Sequence, residues 1–485
     1  MIVCLATVHR ERLFMPLALL YLERYLVERK GFPADAIDIA EFSLTGNSLE
    51  MIATRILERE PDVVGLSCYV WNITTMMDAV KIIKSRRPQT TVVLGGPEVG
   101  PVAMSLLEAY PAVDAIVKSE GEIPFSEIVE RLSEGRSLHD VAGICFRDNA
   151  ALIDTGDAPL LEDLGALPSP HLAVTSAGRY SQRIVCLETQ RGCVFKCNFC
   201  FYNKDFSLRN RRFDLERVKR ELLRWLDEDI YEIYLMDPVF NLNAARAKEI
   251  CAFIAANNRR RVTFHTELWA EFMDDELARL MRDANFTFVE VGLQTTDVTA
   301  LATVERRLKL DKFLSGINHL KSHGIEFELQ LIYGLPGETS ESFRKSLEFA
   351  VSLDPPRLAV FPLMVLPGTE LWRKADAIGL DYEPTPPYYA RSHYTMNRDE
   401  IAYGWKIVGA LKTIGDSKAV RLLGREPGVR FLDVLDAWIA SDRPVEGESP
   451  SQQVQRFLSR FCGERGIPPA FYQQFAAREF LTSLA

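Results

Sequence analysis

The sequence predicts an α/β protein in three parts: a doubly wound parallel sheet over residues 1–147, a partial (β/α)6 barrel over 181–395, and a small helical domain over 396–485, with a linker at 148–180. Three observations predict it. Short β-branched runs alternate with helical patterns through the first third of the chain. That alternation breaks off in a stretch punctuated by Gly, Pro and Asp around Pro168-Ser169-Pro170, then resumes for six more strands. From about Asn397 the text turns helical. Strand and helix in strict alternation mean parallel βαβ units.

In chain order, the first sheet draws strands from Ile2 to Ala6, Ala36 to Ala40, Val63 to Ser67, Thr91 to Leu94 and Ala115 to Val117, with helices between them from Pro16 to Arg29, Leu49 to Glu60, Thr74 to Ser85, Val102 to Ala109 and Pro124 to Leu132. Five strands covered by helices on both faces make an open, Rossmann-like sheet. The second series reads Ile184 to Glu188, Glu232 to Leu235, Val262 to Thr266, Phe286 to Val291, Glu326 to Ile332 and Leu358 to Leu363. Helices are expected in the tail at Trp405 to Ile414, Phe431 to Ile439, Gln452 to Phe461 and Pro469 to Leu484.

Bulk composition narrows the partners. A net charge of −10 without a long basic run gives no pull toward nucleic-acid phosphates. No stretch approaches the roughly 18 apolar residues a bilayer span needs, so a cytoplasmic protein with no membrane partner is expected. Nine cysteines do not form a secreted disulfide framework: three crowd together, and six are scattered through apolar segments.

The three are Cys193, Cys197 and Cys200, spaced Cys-x3-Cys-x2-Cys directly after a predicted strand. Three thiolates on one loop hold three irons of a cubane and leave the fourth iron open, whereas an ordinary four-iron site takes four cysteines. The alternative is zinc completed by a distant ligand.

These residues resemble the radical S-adenosylmethionine (SAM) superfamily, in which an aromatic residue, here Phe199, precedes the last cysteine. The resemblance continues along the strand ends: Leu235-Met236-Asp237-Pro238-Val239-Phe240, His265-Thr266-Glu267, Glu290-Val291-Gly292-Leu293-Gln294-Thr295, Gly334-Leu335-Pro336-Gly337-Glu338-Thr339 and Leu363-Met364-Val365-Leu366-Pro367-Gly368-Thr369. It implies that Phe199, Asp237, Glu267 and Gln294, with the backbone around Leu335 and Leu366, contact SAM. The second-strand loop lacks the family's paired glycines, and Gln330 stands where relatives often carry an acid.

A sheet domain ahead of such a barrel resembles the cobalamin-dependent branch of that superfamily, here with a helical C-terminal extension. The carrying segments run from Val64 to Asn72, Leu94 to Glu98 and Ser119 to Glu122. They imply cobalamin contacts at Ser67, Tyr69, Trp71, Gly95, Gly96, Glu98, Glu120 and Gly121. His9 lies in Thr7-Val8-His9-Arg10-Glu11-Arg12 without the Asp and Gly companions of the Asp-x-His-x-x-Gly motif. A histidine ligand needs an acceptor behind it, so cobalt without His9 ligation is expected, with Trp71 as cover for its lower face.

The cofactors implied are a 4Fe–4S cluster, SAM and cobalamin, and the partners a small-molecule substrate and an external electron donor of flavodoxin or ferredoxin type. The activity implied is methylation of an unactivated carbon. Cyclisation, ring contraction or rearrangement without methyl transfer, and RNA modification, are the alternatives. Tyr333, Glu328, His393 and Pro386-Pro387-Tyr388-Tyr389 are candidate walls of the substrate space.

Overall fold

The carboxyl ends of two sheets, the first mostly parallel and the second wholly so, line one cavity. The structure, a computed structural model, describes residues 1–10, 14–173, 183–202, 209–415, 417–441, 448–470 and 472–473. Glu11, Arg12, residues 174–182 at the end of the expected linker, and most of the expected Pro469 to Leu484 helix lie outside the described residues.

The first sheet is built from β1 (Val3–His9), β2 (Ile37–Ser43), β3 (Val63–Ser67), β4 (Thr91–Gly95), β5 (Ala115–Val117), β6 (Ile144–Asp148) and β7 (Ala151–Asp154), in the order β2-β1-β3-β4-β5-β6-β7. Runs such as Val-Val-Gly-Leu-Ser in β3 suit a strand buried on both faces. The five expected strands pair in parallel. Two strands absent from the sequence reading, β6 and β7, then add antiparallel to β5, so the sheet reaches Asp154. Because the order steps away from β1 in both directions, the crevice over the carboxyl ends of β1, β3, β4 and β5 is where such a sheet binds ligands.

The second unit comprises β8 (Ile184–Leu187), a short antiparallel ribbon of β9 (Gln190–Arg191) and β10 (Arg211–Arg212), then β11 (Glu232–Leu235), β12 (Thr263–Leu268), β13 (Phe286–Gln294), β14 (Glu326–Tyr333) and β15 (Arg357–Pro362). Its main sheet is parallel throughout, in the order β15-β14-β13-β12-β11-β8. In β12, Phe264, Thr266 and Leu268 are buried while Thr263, His265 and Glu267 are partly open, and β13 and β14 alternate the same way. One face thus packs under the helices and the other lines a polar lumen. Helices start where a side chain caps them, as Asp214 does at Arg217 N (3.0 Å).

Of the C-terminal helices Arg398–Ile414, Lys418–Leu423, Phe431–Ala440 and Pro450–Glu464, the first packs on β15, and the others pack on it or on one another. Tyr333 Oη donates to the Glu400 carbonyl (2.6 Å), and Arg344 grips Asp436 through two hydrogen bonds of 2.6 and 2.8 Å. Tyr333 therefore anchors the extension instead of facing a substrate. No helix of the described residues is long and apolar enough to cross a membrane.

Candidate functional site

The cysteine loop leaves β8 at Leu187 and is fixed from three sides. Asn198 N donates to the Val304 carbonyl (3.1 Å), Asn198 Nδ2 to the Thr303 carbonyl (2.8 Å), and Leu371 N to the Asn198 carbonyl (2.9 Å). Phe195 stacks on Trp269 with centroids 3.7 Å apart. Cys197 is buried; Cys193 and Cys200 are half-buried. Burial, reinforced by Cys197 nearby, pushes the Cys200 thiol up to about 12, and burial raises Cys193 as well. Such thiols give up their protons to a metal centre, which is how thiolate sites assemble. Among the described residues no three His, Cys, Asp or Glu side chains gather tightly enough for a single ion. The other six cysteines are all buried.

Arg306 was not singled out by the sequence. Its Nη1 donates to Cys197 Sγ (3.7 Å) and its Nη2 to the Gly292 carbonyl (2.5 Å), with the guanidinium 4.4 Å above the Trp269 ring.

The residues expected around SAM do gather at the strand ends, in differing states. Phe199 packs against the buried cluster of Leu335, Leu363 and Val365, and Leu366 is half-buried, its carbonyl accepting from Thr369. Gln294 sits at a bulge in β13 with φ of 69°, its Oε1 buried and unpartnered. Glu267 accepts from Tyr234 Oη (2.9 Å); burial and the neighbouring Glu290 raise it to about 7. Asp237 differs from expectation. It is fully buried and accepts from the Thr189 and Gln190 amides (2.8 and 3.2 Å) and the Thr189 hydroxyl, so it pins the start of the cysteine loop. Burial lifts it to about 7 against those hydrogen bonds.

The lumen below is acidic. His265 Nε2 meets Glu290 (3.0 Å), and Gln330 Nε2 donates to Glu290 (2.7 Å) and Glu328 (3.0 Å). Burial opposes the charge on His265, but Glu232 and Glu290 outweigh it and raise the ring to about 9. Gln330 thus bridges two carboxylates where a third acid would repel them. His393, a candidate wall, is buried with Nδ1 against Thr395.

Between the two sheets lies a cavity of about 800 Å³. Its walls include Ser67, Tyr69, Trp71, Gly95, Gly96, Glu120 and Gly121 from the first sheet, and Glu188, Arg191, Tyr202, Tyr234 and Met236 from the barrel. Gly96, at φ of 106°, has no room for a Cβ, which would lie 2.5 Å from the Cys68 carbonyl. Trp71 is 44% exposed and stacks on Tyr69 at 4.4 Å. Glu98 is not in the wall: its carboxyl accepts from Tyr388 Oη, and burial, partly offset by that hydrogen bond, raises it to about 7. His9 reaches the cavity, but its Nε2 is held by Glu41 (3.2 Å), which Arg183 also grips (2.6 Å). Burial works against the charge on Glu41, yet those two partners hold it at about 2. The wall nearest the cysteines is ionic: Arg191 pairs with Glu122 (2.8 Å), Glu188 (3.0 Å) and Glu120 (3.4 Å), and Arg211 with Glu120 (2.6 Å). Arg191 was missed because Glu120 lies 71 residues away in sequence, in the turn after β5.

The family description "Radical SAM superfamily" matches residues 187–350, and "B12 binding domain" matches 4–129. The chain is 26% identical over 394 residues to an uncharacterized methyltransferase, PH0819, of Pyrococcus horikoshii, covering 79% of this chain and 84% of that protein. It is 29% identical over 397 residues to the cobalamin-dependent radical SAM methyltransferase TokK of Streptomyces tokunonensis, covering 78% of this chain but only 58% of TokK. The structure of the cobalamin-dependent radical enzyme OxsB, with aqua-cobalamin and SAM bound, superposes with a TM-score of 0.67 over 99% of this chain and 80% of OxsB, at 16% identity. That likeness is one of fold.

Proposed function

Because the chain belongs to the cobalamin-dependent radical SAM family, we propose that it methylates an unactivated carbon of a small molecule bound between the two sheets. The observation that carries this reading is the single cavity joining the first sheet's glycine-lined crevice to the strand ends beside the three cysteines.

The residues fit the groups the family uses. Cys193, Cys197 and Cys200 would supply three thiolates for a 4Fe–4S cluster, Gln294 offers a buried, unpartnered amide oxygen at the strand ends, and the Gly95-Gly96 turn lines the cavity, with Gly96 packed so closely on the Cys68 backbone that only glycine fits there. Bound together, a cluster, SAM and cobalamin would supply radical chemistry at carbon and a methyl donor. The chain's own work is positioning. Asp237 fixes the backbone leading into the cysteine loop, Phe195 and Trp269 brace its middle, and Arg306 offers a cation to Cys197. Glu267, Glu290 and Glu328 face the lumen where the substrate would lie.

For the lower face of cobalt we favour cover by Trp71. His9 has an acceptor after all, Glu41 on β2, but that contact takes up its distal nitrogen, Nε2. Bound cob(II)alamin should show no nitrogen superhyperfine splitting; splitting that disappears in His9→Ala would refute the assignment.

The decisive experiment supplies SAM with a deuterated methyl group to the cluster-loaded, cobalamin-bound chain. Label in the product is expected, and an unlabelled product would point to rearrangement or cyclisation. Replacing any one of the three cysteines with Ala should abolish 5′-deoxyadenosine formation and leave cobalamin binding largely intact.

A further inference from the structure

We propose that the outer rim of the cysteine loop, carried by Lys196, Arg307 and Lys309, is the docking surface for an acidic one-electron carrier protein that reduces the cluster. The proposal rests on reading Cys193, Cys197 and Cys200 as a cluster site.

The loop has two sides. Gly192 and Tyr202, flanking it, face the large cavity, but Val194, Lys196, Arg307 and Lys309 do not line that cavity and open outward to solvent. The segment after Val304 alternates: Arg306 turns inward to Cys197, Leu308 packs against the core, and Arg307 and Lys309 project outward. The loop is hydrogen-bonded to this segment through Asn198, and to the helix Glu370–Lys374 through Leu371, so the three stretches form one continuous face.

Its charge runs against that of the whole chain. On a protein of net charge −10, Lys196, Arg307 and Lys309 form no ion pair with any described residue, whereas the nearby acids Glu305 and Glu370 are paired with Lys374 and Arg373. Asp311 lies in the first turn of the helix Leu310–Ser322, where it complements the helix's own positive end. Beside these cations in the chain, two large apolar side chains are left in water: Val194 at 40% exposure and Leu310 at 44%. Small, charge-steered contacts are the pattern of weak redox encounters.

The exchange itself is simple. The carrier's reduced flavin or iron–sulfur centre loses one electron, the cluster gains it, and no bond or proton changes hands at the surface. This face is carried by the loop that holds the sulfurs, since Val194 adjoins Cys193 and Lys196 adjoins Cys197 in the chain.

The test mixes the full chain, loaded with cluster and cobalamin, with reduced flavodoxin as the acidic probe, and follows cluster bleaching by stopped flow. In the wild type the second-order rate should fall steeply as ionic strength rises from about 0.01 to about 0.3 M. The double variant Arg307→Glu, Lys309→Glu should be slowed at least roughly tenfold at low salt and lose most of that salt dependence. Its reduction by dithionite should be unchanged, and Lys81→Glu on the far domain should match the wild type with both reductants. A wild-type rate indifferent to salt overturns the proposal, as does an unaltered flavodoxin rate in the double variant. An equal loss with dithionite would assign the two residues to the fold and overturn it too. If dithionite-reduced wild type makes no 5′-deoxyadenosine from SAM, the fault lies with the proposed function and not with this surface.

Discussion

Glu98 was expected to touch the corrin and instead ties the first sheet to the segment after β15 through Tyr388. Its buried carboxyl has a pKa of about 7 in the fold against 4.5 unfolded, so between those values the folded state keeps a proton the unfolded chain releases. Stability therefore falls as pH rises from about 4.5 to 7, by an amount on the order of 2–3 kcal/mol. Glu98→Gln keeps an acceptor for Tyr388 without the charge. Urea titrations should find the variant as stable as wild type near pH 4.5 and more stable at pH 8; equal stability at pH 8 would contradict the assignment. His265 acts in the same direction at higher pH. Raised to about 9 by its carboxylate partners, it contributes stability in full below pH 6.5 and loses it as pH passes 9, so the two groups act in separate windows.

At the scale of elements, the strand-end turns decide whether a ligand fits. Gly96→Ala brings a methyl group within 2.5 Å of the Cys68 carbonyl at a φ that favours glycine. A loss of about 2–3 kcal/mol is expected, with cobalamin retention dropping in parallel. Retention unchanged at full stability would mean that the turn does not border the macrocycle. How much of this was legible follows from where each signal lies. The parallel strands and the Cys-x3-Cys-x2-Cys loop are written locally, in β-branched runs and a fixed spacing. β6 and β7 were hidden because Asp148-Asn149-Ala150 reads as linker punctuation while in fact making a hairpin turn, with Asn149 at φ of 52°. Arg306 was hidden because its thiol partner lies 109 residues away in sequence. Asp237 sat where expected, but nothing local says that backbone amides would take its oxygens.

Across the whole molecule, the two sheets are joined by buried charge. Arg191 and Arg211 pair with Glu120 and Glu122 of the first domain and Arg191 with Glu188 of the second, while Arg183 of the second domain pairs with Glu41 of the first. Pulling the domains apart would strand these groups without partners, which is costly for buried ions. Hinge opening is thus a poor route for a bulky cofactor, and the history of the molecule becomes part of its composition. Cobalamin present in the growth medium while the chain folds should be trapped and survive dialysis, whereas protein made without it should fill slowly, at a rate that quickens in mild denaturant. Purified batches would then record the vitamin supply of the cells that made them.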